Sequence, residues 1–108
     1  MAVHRELGHG FLEIVYKDAI EYELRTKAIT YEREKEYNIS YKGVVLPHRF
    51  FADFVVMDQI ILEVKAAEGG LAEAHLAQTL NYLKASGCKL GILVNFGRQS
   101  LEYKRLVF

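Results

Sequence analysis

From Phe11 to about Lys27, apolar residues recur at Leu12, Val15, Tyr16, Ala19, Ile20 and Leu24, directly after chain breaks at Gly8 and Gly10. Positions three and four apart line one face of a helix, so this stretch predicts a helix with one core face. Upstream, Val3 and Leu7 read as the last turn of an earlier helix that begins abruptly at Met1, so the usual start of such a domain is expected to extend further upstream. Tyr31 to Tyr41 and Val44 to Phe51 are rich in aromatic and branched residues and meet at Lys42 and Gly43. They predict a hairpin, with Pro47 marking an irregular or edge position. Two further extended segments, Phe50 to Met57 and Ile60 to Ala66, lie around Asp58 and Gln59, and Gly69 with Gly70 ends the run. A second helical pattern covers Leu71 to Ser86 through Leu76, Thr79, Leu80 and Leu83, and Gly87 supplies its stop. Leu90 to Phe96 then forms an apolar strand, Gly97 to Ser100 a turn, and Leu101 to Phe108 a last strand. A strand leading through a helix to another apolar strand predicts a parallel, right-handed crossover. The expected fold class is α/β, a mixed central sheet with a first helix and a crossover helix in the order α-β-β-β-α-β.

With 108 residues, 51% of them hydrophobic, the chain is sized for one domain spanning 1–108. The single cysteine, Cys88, excludes an internal disulfide, and no Cys/His cluster has zinc spacing. A reducing, cytoplasmic setting fits that usage. No apolar run approaches the roughly 20 residues of a membrane span, and the N-terminus lacks a signal-peptide pattern. Fourteen basic and fourteen acidic residues cancel, so no global positive field advertises a nucleic-acid partner. A local basic rim would still serve one, and Lys84, Lys89, Arg98, Lys104 and Arg105 are its candidates.

Against the apolar pattern, three charges stand out: Asp53 inside one apolar strand, and Glu63 with Lys65 inside the next. A buried unpaired charge costs several kcal/mol or more, so these groups must be paired, solvated in a cleft or holding a metal. Glu63 and Lys65 are two apart and share a face. Asp53 joins them only if the intervening turn has the right parity. A two-residue turn at Asp58 and Gln59 sends its carboxylate to the other face, whereas a three-residue loop from Met57 to Gln59, or a bulge, pairs it with Glu63. Converged, Asp53 and Glu63 with the backbone carbonyl of Val64 form a hard-oxygen set suited to Mg²⁺ or Mn²⁺, and Lys65 supplies a movable positive charge. The competing reading makes Asp53 a strand-end or turn residue and Glu63 with Lys65 a salt bridge on a solvated sheet face.

Ala52-Asp53 followed by Glu63-Val64-Lys65 on the next strand and a crossover helix resembles the PD-(D/E)XK nuclease superfamily. Gly10, Glu13 and Tyr16, as Gly-x-x-Glu-x-x-Tyr, resemble the GxxExxY family grouped with it, and Gln78 with Tyr82 is similar to the Gln-x-x-x-Tyr accessory motif of RecB-type nucleases. The resemblance runs from Val3 onward and implies a restriction-endonuclease-like core. It departs at His9, where a proline is frequent between the two glycines. It also implies site roles for Asp53, Glu63, Lys65, Glu13, Gln78 and Tyr82, with Glu13 adding a carboxylate near the metal. His75, one turn before Gln78, is assigned no role. The expected activity is metal-dependent hydrolysis of phosphodiester bonds in DNA, or else RNA. The alternatives are a catalytically silent nucleic-acid-binding or protein-interaction module, and a homodimer formed through the Leu101 to Phe108 edge.

Overall fold

The computed structural model describes residues 2–107. Met1 and Phe108, which the sequence assigns to the first helix and the last strand, lie outside the described residues. Helices α1 (Ala2–Leu7) and α2 (Glu13–Thr26) precede strand β1 (Tyr31–Tyr37), a small hairpin of β2 (Ser40–Tyr41) and β3 (Val44–Val45), and strands β4 (Phe50–Val56) and β5 (Ile60–Lys65). Helix α3 (Glu73–Ser86) then leads to β6 (Leu90–Asn95) and β7 (Glu102–Val107). Five strands form one mixed sheet in the order β1-β4-β5-β6-β7, in which only β5 and β6 run parallel, joined by α3. The parallel crossover expected from the sequence is therefore present, in a mixed α/β fold.

The long hairpin expected from Tyr31 to Phe51 is not. β1 pairs directly with β4, and the Lys42–Gly43 turn closes only the pairs Ser40↔Val45 and Tyr41↔Val44. Pro47 has no N–H to donate, so the pairing cannot run on into β4, and the exposed Tyr41, Val44 and Val45 bury too little to extend it.

One sheet face packs on α1 and α2 through Val3, Tyr16, Ile20, Phe54, Val64 and Phe96. The other packs on α3, where Leu83 meets Ala52, Val55 and Ile61. Gly91 permits that contact, since a Cβ there would lie 3.2 Å from both Thr79 and Leu83 side-chain carbons.

The loop between β4 and β5 has the odd parity that convergence of the charges requires. Met57 and Asp58 take left-handed φ angles of 53° and 56°, and Gln59 N–H donates to Val56 O at 3.1 Å. The pairing Phe54↔Leu62, continued by one step, sets Asp53 opposite Glu63. A second irregularity sits alongside. Ala52 and Phe54 are two apart and should share a face, yet Ala52 packs with Leu83, and Phe54 with Tyr16 and Ile20. β1 changes face over the same stretch, with Tyr31 on the α2 side and Tyr37 on the α3 side. The switch centres on Glu34, at φ 54°, which the flanking pairs Arg33↔Phe54 and Lys35↔Ala52 place opposite Asp53. Left-handed backbone costs a non-glycine residue about 1–2 kcal/mol.

Candidate active site

Where β4 and β5 part, carboxylates replace the strand ladder. Asp53 N–H donates to Glu63 Oε2 at 2.7 Å, and Val64 N–H donates to Asp53 Oδ2 at 2.7 Å. Each side chain thus satisfies a backbone donor that the diverging strands leave open. The N–H and C=O of one strand residue point to the same edge, so the Val64 carbonyl also faces this gap, while the Lys65 carbonyl accepts from Phe96 N–H of the opposite neighbour at 2.8 Å.

The electrostatics are strained on one side and satisfied on the other. Glu63 is only 3% exposed, and its burial, followed by the charge of Asp53, pushes its pKa up to about 8. Lys65, two residues on and facing the same way, acts against that rise but forms no ion pair with Glu63 within 4 Å. Asp53 is paired instead with Lys17 of α2, whose Nζ donates to Asp53 Oδ1 at 2.9 Å and also to Glu34 Oε1. Burial opposes the charge on Lys17, but these two bonds outweigh it and leave its pKa above the ordinary value.

Glu13 opens α2 one turn before Lys17. Burial raises its pKa, Lys65 lowers it, and Asp53, Lys17 and Glu34 also act on it, so it belongs to the same charge cluster. Its placement comes from Tyr16, fully buried and stacked on Phe96 with ring centres 4.6 Å apart. The Tyr16 hydroxyl donates to Gly8 O at 2.8 Å and accepts from Phe11 N–H at 3.2 Å, pinning the turn before the helix. Tyr16→Phe removes both bonds and is expected to cost about 1–2 kcal/mol, roughly 5–10 °C in Tm by thermal denaturation.

Comparison with family models matches residues 1–106 to the PD-(D/E)XK nuclease superfamily. The chain belongs to that superfamily. Among solved structures, the crystal structure of SSO0001 is similar with a TM-score of 0.68 at 20% sequence identity, over 88% of this chain and 50% of that one. The likeness is one of fold, and the chain spans about half the length of that protein. Comparison with curated proteins gives no significant match.

Within this PD-(D/E)XK fold, Asp53, Glu63, Lys65 and Glu13 come together, and the other two expected residues divide. Tyr82 stacks on Phe50 at 4.2 Å between ring centres, and burial followed by the charges of Glu63 and Asp53 raises its pKa, so its hydroxyl lies within the field of the acidic pair. Gln78 is exposed on α3 and lines a groove of about 630 Å³ with Ile39, Phe50, Asn81 and Tyr82, without bonding either carboxylate. His75 accepts from Ala72 N–H through Nδ1 at 3.0 Å and so closes the start of α3. Of the candidate basic residues, Lys104 and Arg105 lie on β7 opposite Leu93 and Ile92, and Arg98 and Lys104 both act on Glu102. Lys84 and Lys89 lie near the start of β6, whereas Lys65 pairs with Asn95 at its far end, where Arg98 follows.

The site holds two residues that the sequence did not single out. Lys17 had a signal: it follows Glu13 by four and sits between the core residues Tyr16 and Ile20. Glu34 had none, since Glu32, Arg33, Lys35 and Glu36 surround it with similar charges. No group of three His, Cys, Asp or Glu side chains among the described residues has metal-holding geometry. The donor chemistry nevertheless fits a hard divalent cation, because Mg²⁺ needs only one or two protein carboxylates beside its waters and substrate phosphates. Glu63 lacks a bonded cation, and that is the charge an ion would supply.

Proposed function

We propose that this chain is a nuclease that hydrolyses phosphodiester bonds in nucleic acid, DNA before RNA, with Mg²⁺ or Mn²⁺. The observation that carries this reading is the reciprocal bonding of Asp53 and Glu63 across the parted strands, with Lys65 facing the same way as Glu63, in a PD-(D/E)XK fold. Asp53, Glu63 and the Val64 carbonyl would hold the ion, with Glu13 reaching it or its waters. When bound, such an ion supplies an acidified water and neutralises charge on the scissile phosphate. Lys65 orients the attacking water and offsets the negative charge that grows on phosphorus-bound oxygens. Tyr82 donates its hydroxyl to a phosphate oxygen, and Gln78 contacts the same strand further along the groove. The Gly10, Glu13 and Tyr16 spacing supports a GxxExxY-type member, in which Tyr16 fixes the turn and Glu13 the acidic edge.

The test incubates purified protein with single- and double-stranded DNA and RNA, with and without Mg²⁺ or Mn²⁺. Cleavage that requires the ion and falls at least about 100-fold in Lys65→Ala is the expected result. Cleavage unchanged by Lys65→Ala sinks the reading, and salt-sensitive binding without cleavage points to a silent binding module.

A further inference from the structure

Lys17 is 8% exposed, on a helix face it shares with the buried Tyr16 and Ile20. A lysine so placed must desolvate its ammonium, and an apolar side chain of similar length would fill the space at lower cost. Its ammonium instead bridges Asp53 Oδ1, at 2.9 Å, and Glu34 Oε1. With Val64 N–H on Oδ2, both Asp53 oxygens accept from a protein donor. Glu34 reaches the ammonium from a left-handed backbone, φ 54°, in mid-strand, where its only side-chain partner among the described residues is Lys17. Glu63, by contrast, has no bonded cation.

We infer that Lys17 is the resident counter-cation of this site: its ammonium neutralises Asp53 in the metal-free protein and competes with the divalent ion for that carboxylate. Glu34 shares the ammonium and so weakens its hold on Asp53. The inference rests on the reading of Asp53 and Glu63 as the metal-holding pair. Its functional consequence is conditional loading. An ion facing a fixed positive charge binds the free protein weakly, and is retained when phosphate oxygens of a nucleic-acid substrate complete its shell.

Mn²⁺ titration followed by calorimetry and electron paramagnetic resonance, without substrate, tests it on four forms of the full chain. Relative to wild type, Lys17→Met is expected to bind Mn²⁺ at least about tenfold more tightly, since a neighbouring unit charge changes the affinity of a divalent ion by that much even under water-like screening. Glu34→Gln is expected to bind more weakly, because Lys17 then bears on Asp53 alone. A purely structural role for both residues would loosen binding in both variants. Lys17→Met binding no tighter than wild type, while Glu63→Gln loses binding, overturns the role of Lys17 and leaves the metal pair standing. Binding unchanged in Glu63→Gln overturns the metal pair itself, and the inference with it. Should Lys17→Met be unfolded alone, Mn²⁺ is expected to restore its thermal transition at concentrations that barely shift wild type; no restoration overturns the inference.

Discussion

Replacing Glu63 with glutamine is expected to raise the stability of the metal-free protein at pH 8 and, in the same variant, to abolish the divalent-ion binding proposed for this site. Burial, reinforced by Asp53, raises the Glu63 pKa from an ordinary 4.5 to about 8. Between those values the unfolded chain binds fewer protons than the folded one, so stability falls as pH rises. The contribution is fully present below pH 4.5 and is lost as pH climbs through about 8. Glutamine keeps the acceptor for Asp53 N–H and never ionises. The expected gain at pH 8 is on the order of 2 kcal/mol, about 10 °C in Tm for a domain of this size. Thermal denaturation of both forms from pH 5 to 8.5 reads the effect as a steeper fall in wild type. Added Mn²⁺ should then raise the wild-type Tm and leave the variant unmoved. Equal Tm values at pH 8 without metal would mean that Glu63 is not a carboxylate held against its charge.

Gly97→Ala is expected to be the most damaging of the glycine-to-alanine changes. A Cβ at Gly97 would stand 2.4 Å from Ala67 N, 2.5 Å from Ala67 C and 2.6 Å from Ala66 C, all backbone atoms that cannot turn aside. The same segment is fastened by Asn95, fully buried, whose Oδ1 accepts from Ala67 N–H at 2.8 Å and Gly97 N–H at 3.0 Å while its Nδ2 donates to Ala67 O at 2.9 Å. The chain therefore cannot yield at Gly97 without breaking the clamp that ends β5 immediately after Lys65. A loss of roughly 3–5 kcal/mol is expected, a large part of the stability of a domain this size. Urea unfolding measures it, and under the proposed nuclease function whatever folded protein remains is expected to cleave more slowly because Lys65 is no longer held. Near-wild-type stability would show that the Ala66–Ala67 backbone is free to move.

The charged triad was legible in the chain because Asp53, Glu63 and Lys65 interrupt apolar strands, and an interruption of that kind demands a reason at any fold. The crossover was legible for a similar cause: Leu76, Leu80 and Leu83 repeat at helical spacing between two extended apolar segments. The extent of the hairpin was not legible, because aromatic and branched residues from Tyr31 to Phe51 carry strand propensity whichever partner they meet, and Pro47 alone marks where one pairing must give way to another. Gln78 shows the limit of motif spacing. Four residues place it on one side of α3 with Tyr82, and both line the groove, but only the tertiary packing shows that Tyr82 is anchored by stacking on Phe50 while Gln78 stays exposed and bonds neither carboxylate.

Sequence by itself determined which residues carry charge into the sheet, that Glu63 and Lys65 share a face, and that the Met57–Gln59 segment had to be odd for Asp53 to join them. These follow from the two-residue period of a strand, which is a local property of the backbone. Tertiary structure alone decided the counter-charge. Lys17 and Glu34 come from a helix and an edge strand that meet Asp53 only after folding, and the face switch at Glu34 and Asp53 requires two strands to turn over together. Coulomb interactions depend on distance in space rather than along the chain, so a pairing across 17 or 36 residues leaves no periodic trace in the sequence.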